Sequence, residues 1–499
     1  MLAPEKCSYI LGNPPFGGAK FQTPARRKQV IRIAALGGSG GTLDYVCAWF
    51  VRAGEYVQRR EPRHPHPEEA RSAISKDAAR LSPFETLASQ APQGEGRGSR
   101  PPRIGFVATN SITQGEQVAQ LWPLLFERYG LEIAFAHRTF VWMSDARGKA
   151  HVHCVIIGLT RRDDEPKEKR LFSYDDIKGD PHESRHVALT PYLFDASGLA
   201  DRHLFVRERS LPLCNIPSLV SGTQPIDDGN YIFDPNERAA FLTAEPMAVE
   251  YLRPYMGSIE YINGFKRWIL CLKGAKPSDL RNMPHIVQRM QRVKAFRAKS
   301  QRKSTLAIAN YPDRFNVEVI PNRAFLVIPE VSSECRDYVP IGWLEPPTIP
   351  SNLLLVLLNA ALADFALITS RMHMAWLRNI GGRLESRYRY SIGIVYNPFP
   401  WPQLDLAAKT KLEKLAKTVL DARAAHEGAT LADLYDPDVM PEDLRKAHRA
   451  LDEAVDRLYR KEPFASDRER VEHLFGLYEK LTAPMPAAAA AKPKRGRKR

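Results

Sequence analysis

The sequence lacks closely spaced cysteines, a secretory leader and an uninterrupted apolar segment. Its six cysteines are scattered over 499 residues, and their spacing fits neither a zinc site nor a disulfide framework. The first residues contain no apolar stretch typical of a signal peptide. The most apolar run, 353–369, is interrupted by Asn359 and Asp364, which favours a buried helix over a membrane span. These absences predict a cytoplasmic protein with reduced thiols, no metal site and no membrane association.

The chain has an excess of positive charge. Lys and Arg number 72 against 57 Asp and Glu, giving a formal net charge of +15. Six of these positive charges lie in the terminal stretch 492–499, and removing them leaves +9. A basic excess favours a polyanionic partner, because each phosphate that a protein neutralises releases counterions. We therefore expect double-stranded DNA as a partner, although the composition alone does not establish it.

The tetrapeptide Asn13-Pro14-Pro15-Phe16, called the NPPF loop below, follows a short apolar strand at 9–11. The two prolines restrict the backbone and remove two N–H donors, which leaves carbonyl groups free to accept hydrogen bonds. The Asn13 side-chain oxygen and the Pro14 carbonyl can then accept both hydrogens of an exocyclic amino group. Phe16 offers a ring on which a base taken out of the duplex can stack. The pattern indicates methylation of an amino group, while a simple rigid turn is the alternative.

The lack of a Pro-Cys pair argues against one class of DNA methylation. Methylation at C5 of cytosine requires a cysteine nucleophile, and the chain has no Pro-Cys pair that could supply one. Asparagine at position 13 favours adenine over cytosine N4, because the cytosine-N4 enzymes more often have serine there. Adenine N6 is therefore the predicted target.

The segments after the NPPF loop alternate between strand and helix patterns. Apolar periodicity predicts a helix over 42–57, a strand over 104–109, a helix over 115–129 and strands over 131–140 and 151–159. Thr113 and Glu116 have the spacing of a capping box. This order predicts an α/β fold, the C-terminal half of a Rossmann-like sheet that finishes in a hairpin.

Changes of composition divide the chain into predicted domains. Residues 59–102 are rich in Pro, Arg, Ser and Glu without a hydrophobic period, which predicts a flexible insertion. The other boundaries follow from charge runs, turn residues and helical periodicity. We predict a partial catalytic domain over 1–160, a charged connector over 161–214, an α+β domain over 215–402, a helical region over 403–482 and a disordered basic tail over 483–499.

A series of collinear motifs resembles the MmeI-like (type IIL) methyltransferases. The resemblance covers nearly the whole chain except the 59–102 insertion and the tail. The motifs of the catalytic part are 10–16, 43–49, 109–117, 137–140 and 149–158, and those of the family's target-recognition domain are 222–225, 262–264, 331–334 and 382–391.

The resemblance implies roles for particular residues. Asn13, Pro14, Pro15 and Phe16 would form the catalytic loop of an enzyme that takes the methyl group from S-adenosylmethionine. Asp44 and Tyr45 would flank the cofactor side, and Phe140 or Trp142 would stack on the other face of the flipped base. Core packing is an equally good explanation for those two aromatic residues.

Charged residues alternate with other residues near the end of the predicted recognition domain. Arg383, Glu385, Arg387 and Arg389 would lie on one side of an extended strand. Arg bonds guanine and Glu accepts from cytosine, so this strand is a candidate base-contacting edge, with a solvated strand as the alternative. A basic series over 289–303 suits phosphate contact, and a solvated helix face explains it nearly as well.

The family's glycine-rich cofactor loop lies upstream of its NPPF loop, and the twelve residues before Asn13 contain none. The glycines of 37–41 follow the motif and suggest a flexible connection instead. One interpretation is that the chain works with an upstream chain carrying the missing methyltransferase half and the family's nuclease. A catalytically inactive DNA-binding remnant or specificity subunit is the second, and a pseudogene product is the third.

Overall fold

The computed structural model describes residues 3–58, 102–142 and 152–483. The chain divides into two compact units. Unit 1 comprises Met1–Thr113 and Gln117–Ser197, and unit 2 comprises Gln114–Glu116 and Gly198–Arg499. The predicted insertion apart from Pro102, the basic tail beyond Ala483, His151 and the side chain of Trp142 lie outside the described residues.

Unit 1 contains a mixed six-stranded sheet in the order β1-β2-β4-β3-β5-β6. β1 runs parallel to β2, β4 is antiparallel to both β2 and β3, and β5 runs parallel to β3. The central strands bury their apolar side chains, as expected for strands covered on both faces. The strands are β1 (Tyr9–Gly12), β2 (Arg103–Thr109), β3 (Leu131–Trp142), β4 (Val152–Arg161), β5 (Lys169–Ser173) and β6 (His182–His186).

Three α-helices accompany this sheet in the described part of the chain, and sequence signals account for the start of the first and the end of the third. Thr23 caps the first by accepting a hydrogen bond from the Arg26 N–H, and Pro24 occupies its first position. The third passes at Pro123 into a π-helical turn, Leu124–Arg128, since proline cannot donate the helical hydrogen bond. The helices are α1 (Pro24–Ala34), α2 (Cys47–Gln58) and α3 (Glu116–Pro123).

Two sequence-based expectations about unit 1 need correction. The segment 161–214 is predicted as a charged connector with some strand-like pieces, and its first half supplies β5 and β6, which widen the sheet of unit 1 instead of only connecting domains. The Thr113 hydroxyl donates to the Asn110 carbonyl and closes a short 3-10 turn, which is not the bond of a capping box. The α/β class and the predicted strands at 104–109 and 131–140 are confirmed.

Unit 2 combines small sheets with helices, as the α+β pattern predicts. Its sheets have the orders β14-β9-β10-β8, β13-β11-β15-β7 and β12-β17-β16. The strands are β7 (Val220–Ser221), β8 (Ile232–Phe233), β9 (Leu252–Met256), β10 (Trp268–Leu270), β11 (Phe325–Pro329), β12 (Val331–Ser332), β13 (Gly342–Leu344), β14 (Ile349–Pro350), β15 (Leu354–Leu357), β16 (Gly382–Leu384) and β17 (Arg387–Arg389).

The helices of unit 2 lie among these strands and then fill the C-terminal part of the chain. Asp234 and Glu237 form a reciprocal capping box at the first of them. They are α4 (Pro235–Ala244), α5 (Ser258–Asn263), α6 (Pro277–Arg281), α7 (Pro284–Ala298), α8 (Lys303–Ala307), α9 (Leu362–Thr369), α10 (Arg371–Ile380), α11 (Leu406–Ala424), α12 (Leu431–Leu434), α13 (Glu442–Tyr459) and α14 (Asp467–Thr482).

The apolar run 353–369 is not a single helix. It forms the strand β15, a short turn containing Asn359, and then α9. Strand and helix are both buried, so the run belongs to the core of unit 2. None of the helices in the described ranges is long and apolar enough to cross a membrane.

Arg297, near the end of α7, is fully buried and uses all five of its N–H groups. Its guanidinium donates to five backbone carbonyls, two before β8 and three after α8, at 2.8–3.3 Å. Burial lowers the pKa of Arg297. The basic series on α7 is therefore neither uniformly solvated nor uniformly available to phosphate, because this member joins loops inside the unit. The five acceptors are Ile226, Ile308, Tyr311, Pro225 and Arg314.

Replacing Arg297 with methionine is expected to lower the free energy of unfolding of unit 2 by about 3–5 kcal/mol, the range for breaking a buried polar cluster. Five buried carbonyls would lose their donor. Urea unfolding followed by circular dichroism measures the change. Arg292→Met, at an exposed position of the same helix, is the control and should stay within about 0.5 kcal/mol of the parent. Equal unfolding midpoints for the two variants would refute a central role for Arg297.

Candidate functional site

The NPPF loop begins where β1 ends. Gly12 pairs with Phe106 of the parallel neighbour β2, and Asn13 is the next residue. Pro14 is buried, Asn13 and Pro15 are exposed, and Phe16 is half-buried. Open α/β sheets bind their ligands at the carboxyl ends of the strands, and the loop lies at that edge. The loop thus has a buried anchor and an accessible asparagine amide.

A buried carboxylate, Asp44, holds the chain that leaves this loop. Its Oδ1 accepts a hydrogen bond from the Ala19 N–H at 2.7 Å, and its Oδ2 accepts one from the Ser111 hydroxyl. The Asp44 N–H itself donates to the side-chain oxygen of Gln117 at 3.0 Å. Hydrogen bonds to an ionised acceptor are stronger than neutral ones. Asp44 therefore joins the segment after β1 to the segment after β2, an arrangement called the Asp44 clamp below.

Backbone bonds around Asp44 reinforce the clamp. The Tyr45 N–H donates to the Gly17 carbonyl at 2.9 Å. The Gln22 side-chain amide donates to the Leu43 carbonyl at 2.8 Å. Tyr45 turns its hydroxyl toward the side-chain oxygen of Gln29, 2.9 Å away. The residues that follow the NPPF loop are thus bonded on both sides.

In the structure, Asp44 and Tyr45 hold the segment that follows the NPPF loop, through hydrogen bonds to Ala19 and Gly17. Their assignment to the cofactor side stays a prediction. Ser111, Gln117 and Gln22 complete the clamp, and sequence reasoning assigned them no role. Ser111 and Gln117 belong to the motif 109–117. The motif therefore indicated the segment that contacts Asp44, but the sequence did not show that Asp44 is its partner.

Phe140 lies at the same edge of the sheet as the NPPF loop. β1, β2 and β3 run in one direction, and the register sets Thr109, Cys154 and Phe140 in one row across the sheet. β1 and β3 are separated by two strands, or roughly 14 Å at the usual spacing of about 4.8 Å. The topology therefore places both predicted base-contacting elements at the carboxyl edge without bringing them into direct contact.

Aromatic rings surround Phe140. Its ring stacks on Tyr174 with centroids 5.5 Å apart. The His137 ring stacks on Phe172 at 4.2 Å, and its Nδ1 lies 2.8 Å from the Tyr174 hydroxyl. Burial, followed by the nearby Arg170, lowers the pKa of His137, so this imidazole is neutral at neutral pH. Phe140 therefore packs in an aromatic cluster, and its stacking on a flipped base stays a prediction.

Two buried thiols of unit 1, Cys47 and Cys154, are not suited to nucleophilic chemistry. Burial raises the pKa of Cys47 well above its usual value and that of Cys154 to about 12. All six cysteines of the chain are free. In the part of the chain that the structure describes, no cluster of His, Cys, Asp and Glu side chains could hold a metal ion.

The charged residues of the predicted recognition strand form a hairpin instead. β16 and β17 pair antiparallel, with Arg383 opposite Tyr388 and Leu384 opposite Arg387. Glu385 lies in the turn between them with φ of 60°. Because cross-strand partners share a face, Arg383 lies on one face while Arg387 and Arg389 lie on the other. The expectation that all four charges share one side of a strand is therefore wrong.

The members of this hairpin differ in their contacts. The Arg383 guanidinium lies 4.1 Å from the centre of the Tyr388 ring and donates to the carbonyls of Arg378 and Ser386. Burial lowers its pKa. Arg387 and Glu385 are exposed and form an ion pair at 2.7 Å. Arg389, partly exposed, pairs with Glu330 at 3.3 Å. The accessible charges are thus those of the turn and of β17.

Removing the charge of the clamp in Asp44→Asn is expected to loosen the segment after the NPPF loop. The Ala19 N–H and the Ser111 hydroxyl would lose an ionised acceptor, a loss of about 1.5–3 kcal/mol for a bond to a charged group. Hydrogen exchange should show faster exchange over 13–22 and unchanged exchange in α14. Asp163→Asn, at an exposed position of unit 1, is the control and should leave hydrogen exchange unchanged both over 13–22 and in α14. Unaltered exchange over 13–22 would show that Asp44 does not hold this segment.

Comparison with known protein families accounts for most of the chain. Residues 3–65 and 97–173 match the DNA-methyltransferase domain of MmeI. Residues 200–403 match the MmeI target recognition domain, and residues 405–486 match the MmeI C-terminal domain. The three matches follow one another in chain order.

Two relatives give the same result. DNA methyltransferase A of Bacillus subtilis (strain 168) is 34% identical over 475 residues, which are 95% of this chain and 48% of that protein. The structure of the type IIL restriction-modification enzyme MmeI in complex with DNA is 38% identical and has a TM-score of 0.80, covering 97% of this chain and 58% of that one. The chain spans about half the length of these relatives. Its fold, its motifs and its successive domain matches show that it belongs to the MmeI family of DNA methyltransferases.

Proposed function

We propose that the chain provides the base-holding and DNA-recognition parts of a site-specific adenine-N6 DNA methyltransferase, with S-adenosylmethionine as methyl donor and double-stranded DNA as substrate. The observation that carries the proposal is the NPPF loop at the carboxyl end of β1, anchored by buried Pro14 and followed by the Asp44 clamp. Such an enzyme would act in the cytoplasm as part of a restriction-modification or defence system.

The loop suits a flipped adenine. The Asn13 side-chain oxygen and the Pro14 carbonyl would accept the two hydrogens of the N6 amino group, which directs the nitrogen lone pair away from both acceptors. Phe16 would stack on the base. A strong general base is unnecessary, since the proton can leave after the methyl group has been transferred. Positioning is the main contribution of these residues, and the clamp preserves it.

The described residues fit the target base better than the methyl donor. The glycines of 37–41 belong to a 3-10 helix, Gly37–Thr42, that follows α1 and no strand. In the described ranges, no glycine-rich turn joins a strand directly to the N-terminus of an α-helix. We propose that most of the pocket for S-adenosylmethionine is supplied by another polypeptide segment, with Asp44 and Tyr45 at its border.

An upstream polypeptide would complete the enzyme. Within the described residues β1 pairs with β2 alone, and its Tyr9 and Leu11 are 62% and 75% exposed. Apolar residues on a parallel strand are normally covered on both faces. We propose that a second chain, or a preceding segment, carries the missing strands and the cofactor loop. By the family resemblance it would also bring the nuclease.

A catalytically inactive DNA-binding remnant or specificity subunit is the second candidate. It is favoured by the unbroken match of 200–403 to the target recognition domain, whereas the methyltransferase match comes in two parts. In that case the chain would bind a specific DNA sequence and transfer no methyl group.

Asn13→Ala tests the catalytic proposal. The chain would be co-expressed with the N-terminal part of the Bacillus subtilis relative that it does not match, and N6-methyladenine would be quantified in digested DNA by mass spectrometry. Losing one hydrogen-bond acceptor for the reacting group should lower methylation by about 100-fold or more, the loss typical of a single positioned partner. Asn236→Ala, at an exposed position of α4, is the control and should methylate normally.

The other outcomes separate the candidates. N4-methylcytosine as the product would overturn the adenine assignment. Specific DNA binding without methylation would favour the inactive remnant. Calorimetry on the chain alone should detect no binding of S-adenosylmethionine, and tight binding would contradict the upstream-polypeptide proposal.

The hairpin offers a second test, because its arginines differ in burial. Arg387→Gln should weaken binding to the preferred DNA by about 1–3 kcal/mol and relax the preference at one base pair, without changing the unfolding midpoint. Arg383→Gln should instead lower the free energy of unfolding by about 1–3 kcal/mol, since its stacking and carbonyl bonds lie inside the unit. Competition binding on a randomised DNA library and thermal unfolding measure both. Identical effects for the two variants would refute the proposal that Arg387 contacts DNA while Arg383 stabilises the unit.

A further inference from the structure

A cavity of about 190 Å³ in unit 2 has an unusual concentration of arginines. It lies between the segment before β13, the length of α10 and the first half of α13. We call it the arginine pocket. Its lining residues are Asp337, Tyr338, Arg371, Arg378, Arg445 and Arg449.

Helical spacing brings these arginines together. Arg371 and Arg378 are seven residues apart on α10, and Arg445 and Arg449 are four residues apart on α13. Both intervals place two side chains on one face of a helix. Two guanidinium groups from each helix therefore border the same cavity, an arrangement that repulsion between like charges disfavours unless a negative partner is present.

Part of this positive charge is already balanced. Arg378 donates to Asp467 at 2.6 Å and to the Asp337 carbonyl at 2.7 Å, and Arg371 uses its Nε for the same Asp467. Arg445 lies 3.8 Å from both Asp337 and Glu442. Asp337 is the carboxylate that borders the pocket itself. An incoming anion would have to compete with these groups.

Other donors remain available. Within the described ranges, both Nη atoms of Arg371 have no protein partner, and Arg449 uses one nitrogen alone, for Glu442. The two side chains are 51% and 55% exposed. A guanidinium with free N–H groups in a fork suits the geometry of phosphate oxygens.

A buried carboxyl behind the pocket has reduced negative charge. Asp452 accepts hydrogen bonds from the Tyr338 hydroxyl at 2.6 Å and from the Arg371 N–H at 2.7 Å. Burial raises the pKa of Asp452 to about 7, so near neutral pH part of this carboxyl is protonated. The carboxyl then cancels less of the arginine charge than its formal charge suggests.

We propose that the arginine pocket binds a phosphate group, held chiefly by Arg371 and Arg449. The phosphate comes either from the backbone of bound DNA or from a free phosphate or nucleotide. The site adjoins the β16–β17 hairpin, because Arg383 donates to the carbonyl of the lining residue Arg378, but it is built from other side chains and so goes beyond the methyltransferase proposal.

Arg449→Gln in the full chain tests the pocket, and Arg457→Gln is its matched control. The control lies on the same helix, changes the same charge and removes an equally exposed ion pair, that with Glu453. Arg371→Gln serves as a second variant of the pocket. Unfolding in chloride shows first that each variant folds.

The first arm tests free phosphate. Thermal unfolding is measured in inorganic phosphate and in chloride at equal ionic strength. If the source is free phosphate, the midpoint of the parent chain and of Arg457→Gln should rise by about 2–4 °C in phosphate. Arg449→Gln and Arg371→Gln should show no such rise.

The second arm tests DNA. The logarithm of the binding constant for duplex DNA is measured against the logarithm of the salt concentration. If a DNA phosphate occupies the pocket, the slope should fall by about 0.9 in Arg449→Gln and not in Arg457→Gln. If the pocket variants match the parent and the control in both arms, the pocket is not a phosphate site and the proposal is overturned.

Discussion

The candidate active site depends on the two side-chain oxygens of Asp44. One of its oxygens holds the backbone that leaves the NPPF loop, and the other holds the hydroxyl that follows β2. These two segments belong to neighbouring parallel strands, so the carboxylate couples the loop to the sheet. Without it, the segment after Asn13 would keep the Tyr45–Gly17 and Gln22–Leu43 hydrogen bonds but lose its side-chain link to the segment after β2. Accurate placement of two hydrogen-bond acceptors requires rigid support of this kind.

The strand directly before the NPPF loop was predicted correctly because its signal is local, a short apolar run followed by two prolines. It could not find the clamp, since the partners of Asp44 lie 25 and 67 residues away along the chain. The prediction of a single charged strand over 383–389 was wrong for a different reason. Alternating charges predicted one strand, but Glu385 adopts a left-handed conformation, and no glycine marks this turn.

The arginines of this chain differ in burial and in hydrogen-bond partners, and a count of charges does not distinguish them. Arg297 is consumed by backbone carbonyls inside unit 2, and Arg383 lies against an aromatic ring. Arg387 and Arg449 keep much of their surface exposed. The net charge of +15 therefore overstates the charge that is available to a polyanion. Burial and the number of satisfied N–H groups decide which arginines contribute.

Among the residues that the structure describes, β1 pairs with β2 alone, and its other edge has a consequence for the behaviour of this protein in the cell. An exposed strand edge with apolar side chains is a template for unwanted pairing with other chains. Tyr9 and Leu11 give β1 that character, and β1 carries no charged residue that would oppose such pairing. A chain in which this edge stays unpaired would tend to self-associate. The soluble yield of the chain should therefore depend on whether this edge is paired.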